Sequence, residues 1–112
     1  MQYKISGKVI RGDGYGRKIG FPTVNLETSA RELPPRGVYS GTAILDNKTY
    51  KAGIVIGPNN KIEAYLLDYD GDAYGRPVTL DLNLFLREYK KFGSEKELII
   101  QIKKDIEICS LA

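Results

Sequence analysis

VTLDLNLFL, Val78 to Leu86, alternates in a way that decides the fold class. Val78, Leu80, Leu82, Leu84 and Leu86 fall on one face, with Thr79, Asp81, Asn83 and Phe85 on the other. Successive side chains leave a strand on opposite sides, so a period of two marks a half-buried strand. Working outward, YKISGKVI at 3–10 is a weaker strand of the same kind. YSGTAILD and TYKAGIVIG form an expected hairpin, joined at Asp46-Asn47-Lys48, residues that tolerate turn dihedrals. KIEAYLLDY at 61–69 is a further strand, closed by a turn at Asp70-Gly71.

The period changes after Gly93. SEKELIIQIKKDIEIC places Leu98, Ile99, Ile102, Ile106 and Cys109 on one helical stripe, and Ser94 with Glu97 makes a capping box at its start. Five or six strands followed by one helix predict a mainly β fold, a small antiparallel barrel with a C-terminal α-helix packed against it. No helical pattern separates the strands, which excludes a doubly wound parallel sheet. At 112 residues the chain is expected to be a single domain, 1–112.

Composition narrows the chemistry. The chain has no histidine, which removes imidazole acid–base chemistry, Ser-His and Cys-His nucleophiles and histidine-bound metals. Any general base is then a carboxylate, lysine or tyrosine. Cys109 is the one cysteine, so neither a disulfide scaffold nor a cysteine-rich zinc site is available. A net charge of +3 with scattered lysines does not point to nucleic acid. No apolar run approaches the roughly 20 residues of a membrane span, and the polar start is no signal peptide. These features predict a cytoplasmic protein with no nucleic-acid or membrane partner; the mild positive charge fits an anionic small ligand or nothing special, and a monomer is expected.

Between the first strand and the hairpin lies RGDGYGRKIGFPTVN, Arg11 to Asn25. Its glycines have two readings: a wide turn with several positive φ angles, or a flap whose backbone N–H groups approach phosphates, assisted by Arg17 and Lys18. It is not a dinucleotide fingerprint, because Phe21-Pro22 follows with no helical pattern, nor a P-loop, because Gly-Lys-Ser/Thr is missing. In an extended Pro22-Thr23-Val24-Asn25, Thr23 and Asn25 share one side. Their oxygens are hard ligands of the kind magnesium accepts. By spacing alone, a structural turn with both side chains bonded to backbone accounts for them better. Glu63 likewise reads, on its own, as a solvated strand carboxylate beside Lys61 and Tyr65.

The stretch Arg11 to Asn25 nevertheless closely resembles the phosphate loop and Pro-Thr-x-Asn motif of riboflavin kinases. The resemblance continues through Pro35-Arg36-Gly37-Val38-Tyr39, IEAYLLDYDGDAYGRPV at 62–78 and LREYKKFGSEKELIIQIKKDI at 86–106, in order along most of the chain. It implies a six-stranded antiparallel Greek-key barrel with a C-terminal helix. It also implies transfer of the γ-phosphoryl of ATP to the 5′-hydroxyl of riboflavin, giving FMN and ADP. By the same resemblance Gly12, Gly14, Gly16, Arg17 and Lys18 cover the nucleotide phosphates, and Thr23 and Asn25 hold a divalent metal, Mg²⁺ or else Zn²⁺ or Mn²⁺. Glu63 is the implied catalytic base. Leu66, Asp68 and Tyr74 line the nucleotide pocket, and Arg87, Lys90 and Phe92 hold the flavin.

Two departures from the family pattern qualify these expectations. Only Gly57-Pro58-Asn59-Asn60 stands where many relatives carry a longer connection, which bears on nucleotide base preference. With Met1 directly before the first strand, the N-terminal adenylyltransferase domain of bacterial relatives is expected to be absent, leaving FAD synthesis to another protein. A catalytically inactive flavin carrier on the same barrel is the alternative. Retention of Thr23, Asn25 and Glu63 together argues against it.

Overall fold

A computed structural model of the chain describes every residue except Met1, Gln2, Asp13, Ile19, Arg31 and Asp70. Asp13 and Ile19 of the glycine stretch, and Asp70 of the expected Asp70-Gly71 turn, therefore lie outside the described residues. The elements in chain order are β1 (Tyr3–Ile10), α1 (Tyr15–Lys18), β2 (Val24–Glu27), β3 (Gly37–Leu45), β4 (Lys48–Ile56), β5 (Ile62–Leu66), β6 (Pro77–Arg87) and α2 (Glu95–Leu111). The six strands close into a barrel in the order β1-β2-β5-β4-β3-β6, every pair antiparallel. β3, β4 and β5 run as a meander. The β2–β3 and β5–β6 connections each pass over neighbouring strands, which is the Greek-key pattern expected from the sequence.

Alternation places the core. Val78, Leu80 and Leu82 point inward and meet Ile5, Ala43, Leu45, Ile54, Ile62 and Ala64, all buried. Closure removes both sheet edges, so a barrel this small leaves no unpaired strand for another chain. The β3–β4 hairpin turns on two residues, Asp46 and Asn47, with φ of 52° and 64°. Two positive φ angles match the right-handed twist of the flanking strands. The three-residue turn expected at Asp46-Asn47-Lys48 is thus one residue shorter, Lys48 being the first residue of β4.

The expected single face of β6 needs correction. The β3–β6 register shifts between Ser40 and Gly41 and again between Val38 and Tyr39. Each shift inserts an extra β6 residue, a bulge that reverses which side chains face inward. Leu84 is consequently 54 % exposed, while Phe85 turns to the barrel end and packs edge-on against Tyr39 at 5.3 Å. Gly41 sits at the first shift, where a Cβ would collide with the carbonyl oxygen of Asp81. The tight coil of the barrel at this corner depends on that missing side chain.

Helix α2 begins as the capping box predicts: Ser94 Oγ accepts a hydrogen bond from Glu97 N at 3.2 Å. The helix lies outside the barrel against β4 and β3. Leu98, Ile99, Ile102 and Ile106 are half-buried beneath it and Cys109 is fully buried, facing the bare Cα of Gly53. One buried residue on this face was not foreseen, Asp105. Among the described residues no helix is long and apolar enough to cross a membrane.

Candidate active site

The chemistry gathers on the outer surface of the barrel. In the sheet register Asn25 of β2 lies beside Glu63 of β5, and Glu63 beside Val55 of β4. Residues paired across antiparallel strands share a face, so Asn25 and Glu63 both project outward while Ile62, Ala64 and Leu66 fill the core. Thr23, just before β2, has the same parity. Its hydroxyl donates to Glu63 Oε2 at 3.2 Å. Lys61 Nζ lies 3.1 Å from the other carboxylate oxygen, Oε1. Structure therefore replaces the backbone-bonded turn with a side-chain cluster of Thr23, Glu63 and Lys61.

Two cavities meet at this cluster. The first, about 600 Å³, runs from Thr23 and Glu63 to a far wall built by α2 and the segment carrying Lys90 and Phe92. The second, about 690 Å³, lies beneath Gly12, Gly14 and Arg17 and extends toward Leu66 and Tyr74. Thr23 and Tyr65 line both. Each has the size of a small-ligand or cofactor site.

The glycine stretch closes the second cavity. It contains one turn of helix, α1, which the sequence reading did not anticipate; Lys18 N donates to Gly14 O at 3.1 Å. Gly14 adopts φ of 74°. Gly12 rests directly on the side chain of Asn25, so closely that a Cβ there would overlap the amide group. The turn reading of the glycines is seen in the positive φ angles of Gly14 and Gly20, and the close approach at Gly12 is to the Asn25 side chain. Opposite, the Arg11 guanidinium lies 4.1 Å over the Tyr74 ring. Gly75 N donates to Val9 O and Val9 N to Arg76 O, tying the Tyr74 loop to the end of β1.

At the far wall of the first cavity, Arg87 spends its fork inside the protein. Its Nε donates to Asp105 Oδ1 at 3.1 Å and Nη2 donates to Oδ2 at 2.8 Å. Gln101 Nε2 adds a third donor to Asp105 at 3.0 Å. This charge-assisted, bidentate contact clamps α2 to the end of β6. Above it the Phe92 ring lies 5.6 Å from the Arg87 guanidinium and 5.5 Å from Lys90 Nζ. Phe21 and Tyr65, 6.3 Å apart, line the same cavity on the side of Thr23 and Glu63.

Most of the residues named from sequence thus converge. Thr23, Glu63, Arg87, Lys90 and Phe92 line the first cavity. Gly12, Gly14, Arg17, Asn25, Leu66 and Tyr74 line the second together with Thr23. Lys18 and Asp68 are exposed and line neither; Asp68 follows the end of β5 with φ of 61°. Gly16 falls within α1. Residues 57–60 do not line the second cavity; Gly57 instead faces Tyr89, beside the first. The sequence reading missed Lys61, Phe21, Tyr65 and Asp105 as site residues. Strand parity with Glu63 could have found Lys61 and Tyr65, whereas nothing local distinguishes Asp105 from the solvated charges of α2.

Among the described residues no group of three or more His, Cys, Asp or Glu side chains could hold a metal ion by itself. The two residues expected to hold a metal, Thr23 and Asn25, offer neutral donors, a hydroxyl and an amide. Such a donor pair suits a hard divalent ion that brings its remaining ligands, and its balancing negative charge, on a phosphate chain.

Residues 1–111 match the family described as Flavokinase: Riboflavin kinase. The chain belongs to the riboflavin kinase family. It is similar to the bifunctional riboflavin kinase/FMN adenylyltransferase of Escherichia coli (strain K12), 35 % identical over 92 % of this chain and 36 % of that protein. The chain therefore spans about a third of the length of the curated relatives it matches. Among solved structures it resembles one described as a macrolide-efflux protein from Streptococcus pneumoniae, with a TM-score of 0.90, 30 % identity and coverage of 96 % of this chain and 38 % of that one. The fold is also that of riboflavin kinase from Trypanosoma brucei, with a TM-score of 0.77, 22 % identity and coverage of 97 % and 75 %.

Proposed function

We propose that residues 1–112 act as one riboflavin kinase domain, transferring the γ-phosphoryl of ATP to the 5′-hydroxyl of riboflavin to give FMN and ADP. The observation that carries this reading is the Thr23–Glu63 hydrogen bond at the seam of two cavities. A two-substrate transfer needs such a seam, since the acceptor hydroxyl must reach the phosphoryl group from the opposite side to the leaving group.

Riboflavin takes the first cavity, its ring against Phe92 with Lys90 at the polar edge and its ribityl chain directed to Glu63. Arg87 borders that cavity and, through Asp105, keeps α2 and Phe92 in place. The nucleotide takes the second cavity, with its phosphates under the glycine stretch and Arg17. Glu63 accepts the proton of the 5′-hydroxyl as that oxygen bonds to phosphorus and the bond to the β-phosphate oxygen breaks. Each carboxylate oxygen keeps a lone pair for this step after accepting from Thr23 or Lys61.

Thr23 and Asn25 are the residues that would hold a divalent metal, Mg²⁺ in the first instance. Bound there, the metal would neutralise charge on the phosphates. The Thr23 hydroxyl can serve both partners, because its proton points at Glu63 and its lone pairs remain available. In this reading the domain works as a cytoplasmic monomer.

The test is direct. Purified protein is incubated with riboflavin, ATP and Mg²⁺, and FMN is sought by chromatography. FMN that appears only when all three are present supports the reading. Riboflavin bound without turnover, under Mg²⁺, Zn²⁺ or Mn²⁺ alike, defeats it in favour of an inactive carrier.

A further inference from the structure

In the scheme above Lys61 only donates to the Glu63 carboxylate, yet its position bears on the product as well. It stands two residues before Glu63 on the outward face, and Nζ lies 3.1 Å from Oε1, the oxygen not engaged by Thr23. Its backbone is pinned on both sides: Lys61 N donates to Pro58 O at 3.2 Å, and Gly57 N donates to Lys61 O at 2.8 Å. The short turn at 57–60 thus sets the direction from which the ammonium enters the first cavity. Other cations line that cavity, but Arg87 is committed to Asp105, Lys90 lies over Phe92, and Lys91 belongs to the same far-wall segment, whereas Lys61 stands at the Glu63 carboxylate.

We infer that Lys61 is a phosphate-contacting residue that holds the phosphoryl group on its new oxygen and lets the site distinguish FMN from riboflavin. The inference rests on the riboflavin kinase reading. In that reaction the 5′-oxygen forms its bond to phosphorus beside Glu63, the proton passes to Glu63, and ADP departs with the electrons of the broken bond. Before transfer, Lys61 and Glu63 balance one another against a neutral hydroxyl. After transfer, negative charge stands on phosphate oxygens at the same place, and the carboxylate has taken a proton. Lys61 then has its counter-charge on the phosphoryl group. Without it, a phosphate monoester would face Glu63 with no local cation on that side. A lysine suits the task because its ammonium can swing between the two partners on a flexible stem.

Riboflavin and FMN differ by the phosphate alone, so their relative affinities isolate it. Dissociation constants for both would be measured by quenching of flavin fluorescence, for the unaltered protein and for Lys61→Met, Lys61→Gln and Lys61→Arg. A charge-assisted hydrogen bond implies that Met and Gln weaken FMN binding roughly 10–100-fold while riboflavin affinity moves little, with Arg retaining the preference. Equal affinities for FMN in all four proteins would overturn the role of Lys61 and leave the kinase reading intact. Parallel loss of both flavins in Met and Gln would also overturn it, showing a packing role. An unaltered protein that binds neither flavin would remove the kinase reading itself, and the inference with it.

Discussion

Thr23 and Glu63, forty residues apart in the chain, meet where β2 and β5 lie side by side, the hydroxyl donating to Oε2 at 3.2 Å. Thr23 thereby borders both cavities, and its hydroxyl orients the Glu63 carboxylate, which lines the first. Under the proposed function this one hydrogen bond aligns the base with the phosphate site.

Glu63→Gln keeps the shape of the side chain and removes the capacity to accept a proton that the proposed base role requires. Turnover should fall by roughly 10²–10⁴-fold. Riboflavin affinity, measured by fluorescence quenching, should stay close to that of the unaltered protein. Near-normal FMN formation in this variant would exclude Glu63 as the base.

Thr23→Ala should act mainly on the nucleotide. Loss of a hydroxyl bonded to a charged partner predicts a decrease of roughly 10–100-fold in kcat/KM for ATP. The KM for riboflavin should change far less. Equal losses for both substrates would point to a general distortion of the seam.

Gly12→Ala puts a methyl group into the side chain of Asn25. Displacing that amide by about 1 Å predicts a drop on the order of 100-fold in kcat/KM for ATP. Thermal stability should change little, because the contact lies at the surface of the barrel. Full activity in Gly12→Ala would show that the loop does not work through Asn25.

Asp105→Ala leaves the largely buried Arg87 fork without its carboxylate. Breaking a pair of this kind should cost about 3 kcal/mol of stability. Urea unfolding would read the loss as a lower midpoint at unchanged slope. Because Arg87 underlies Phe92, riboflavin affinity should fall with it while the KM for ATP holds.

Burial, and secondarily the nearby Asp105 carboxylate, push the Cys109 thiol from its ordinary 9.0 up to about 11. Below pH 9 the thiol is protonated folded or unfolded, and pH has no effect through this group. Between pH 9 and about 11 the unfolded chain ionises while the folded one does not, so stability declines as pH rises through that window. Cys109→Ala should flatten the decline relative to the unaltered protein. At pH 8 the thiol should react with a disulfide reagent only as fast as the chain opens, in contrast to an exposed thiol.

Local pattern determined a good deal about this protein. Period-two alternation gave the strands, the Asp46-Asn47-Lys48 stretch gave the hairpin turn to within one residue, and the Ser94–Glu97 cap appears as its residues imply, because each depends on residues close in sequence. Strand parity likewise set Thr23 and Asn25 on one side and Glu63 opposite Ile62 and Ala64. Tertiary structure decided the rest. Bulges in the β3–β6 ladder turned Leu84 outward and set Phe85 against Tyr39 at the barrel end, because register depends on the partner strand. Asp105 reads as one more helix charge until β6 brings Arg87 against it. Lys61, Thr23 and Glu63 become one cluster only when β2 lies beside β5. The physical reason is common to all three: a side chain's neighbours within an element follow from the period, but its neighbours across elements follow from closure of the barrel.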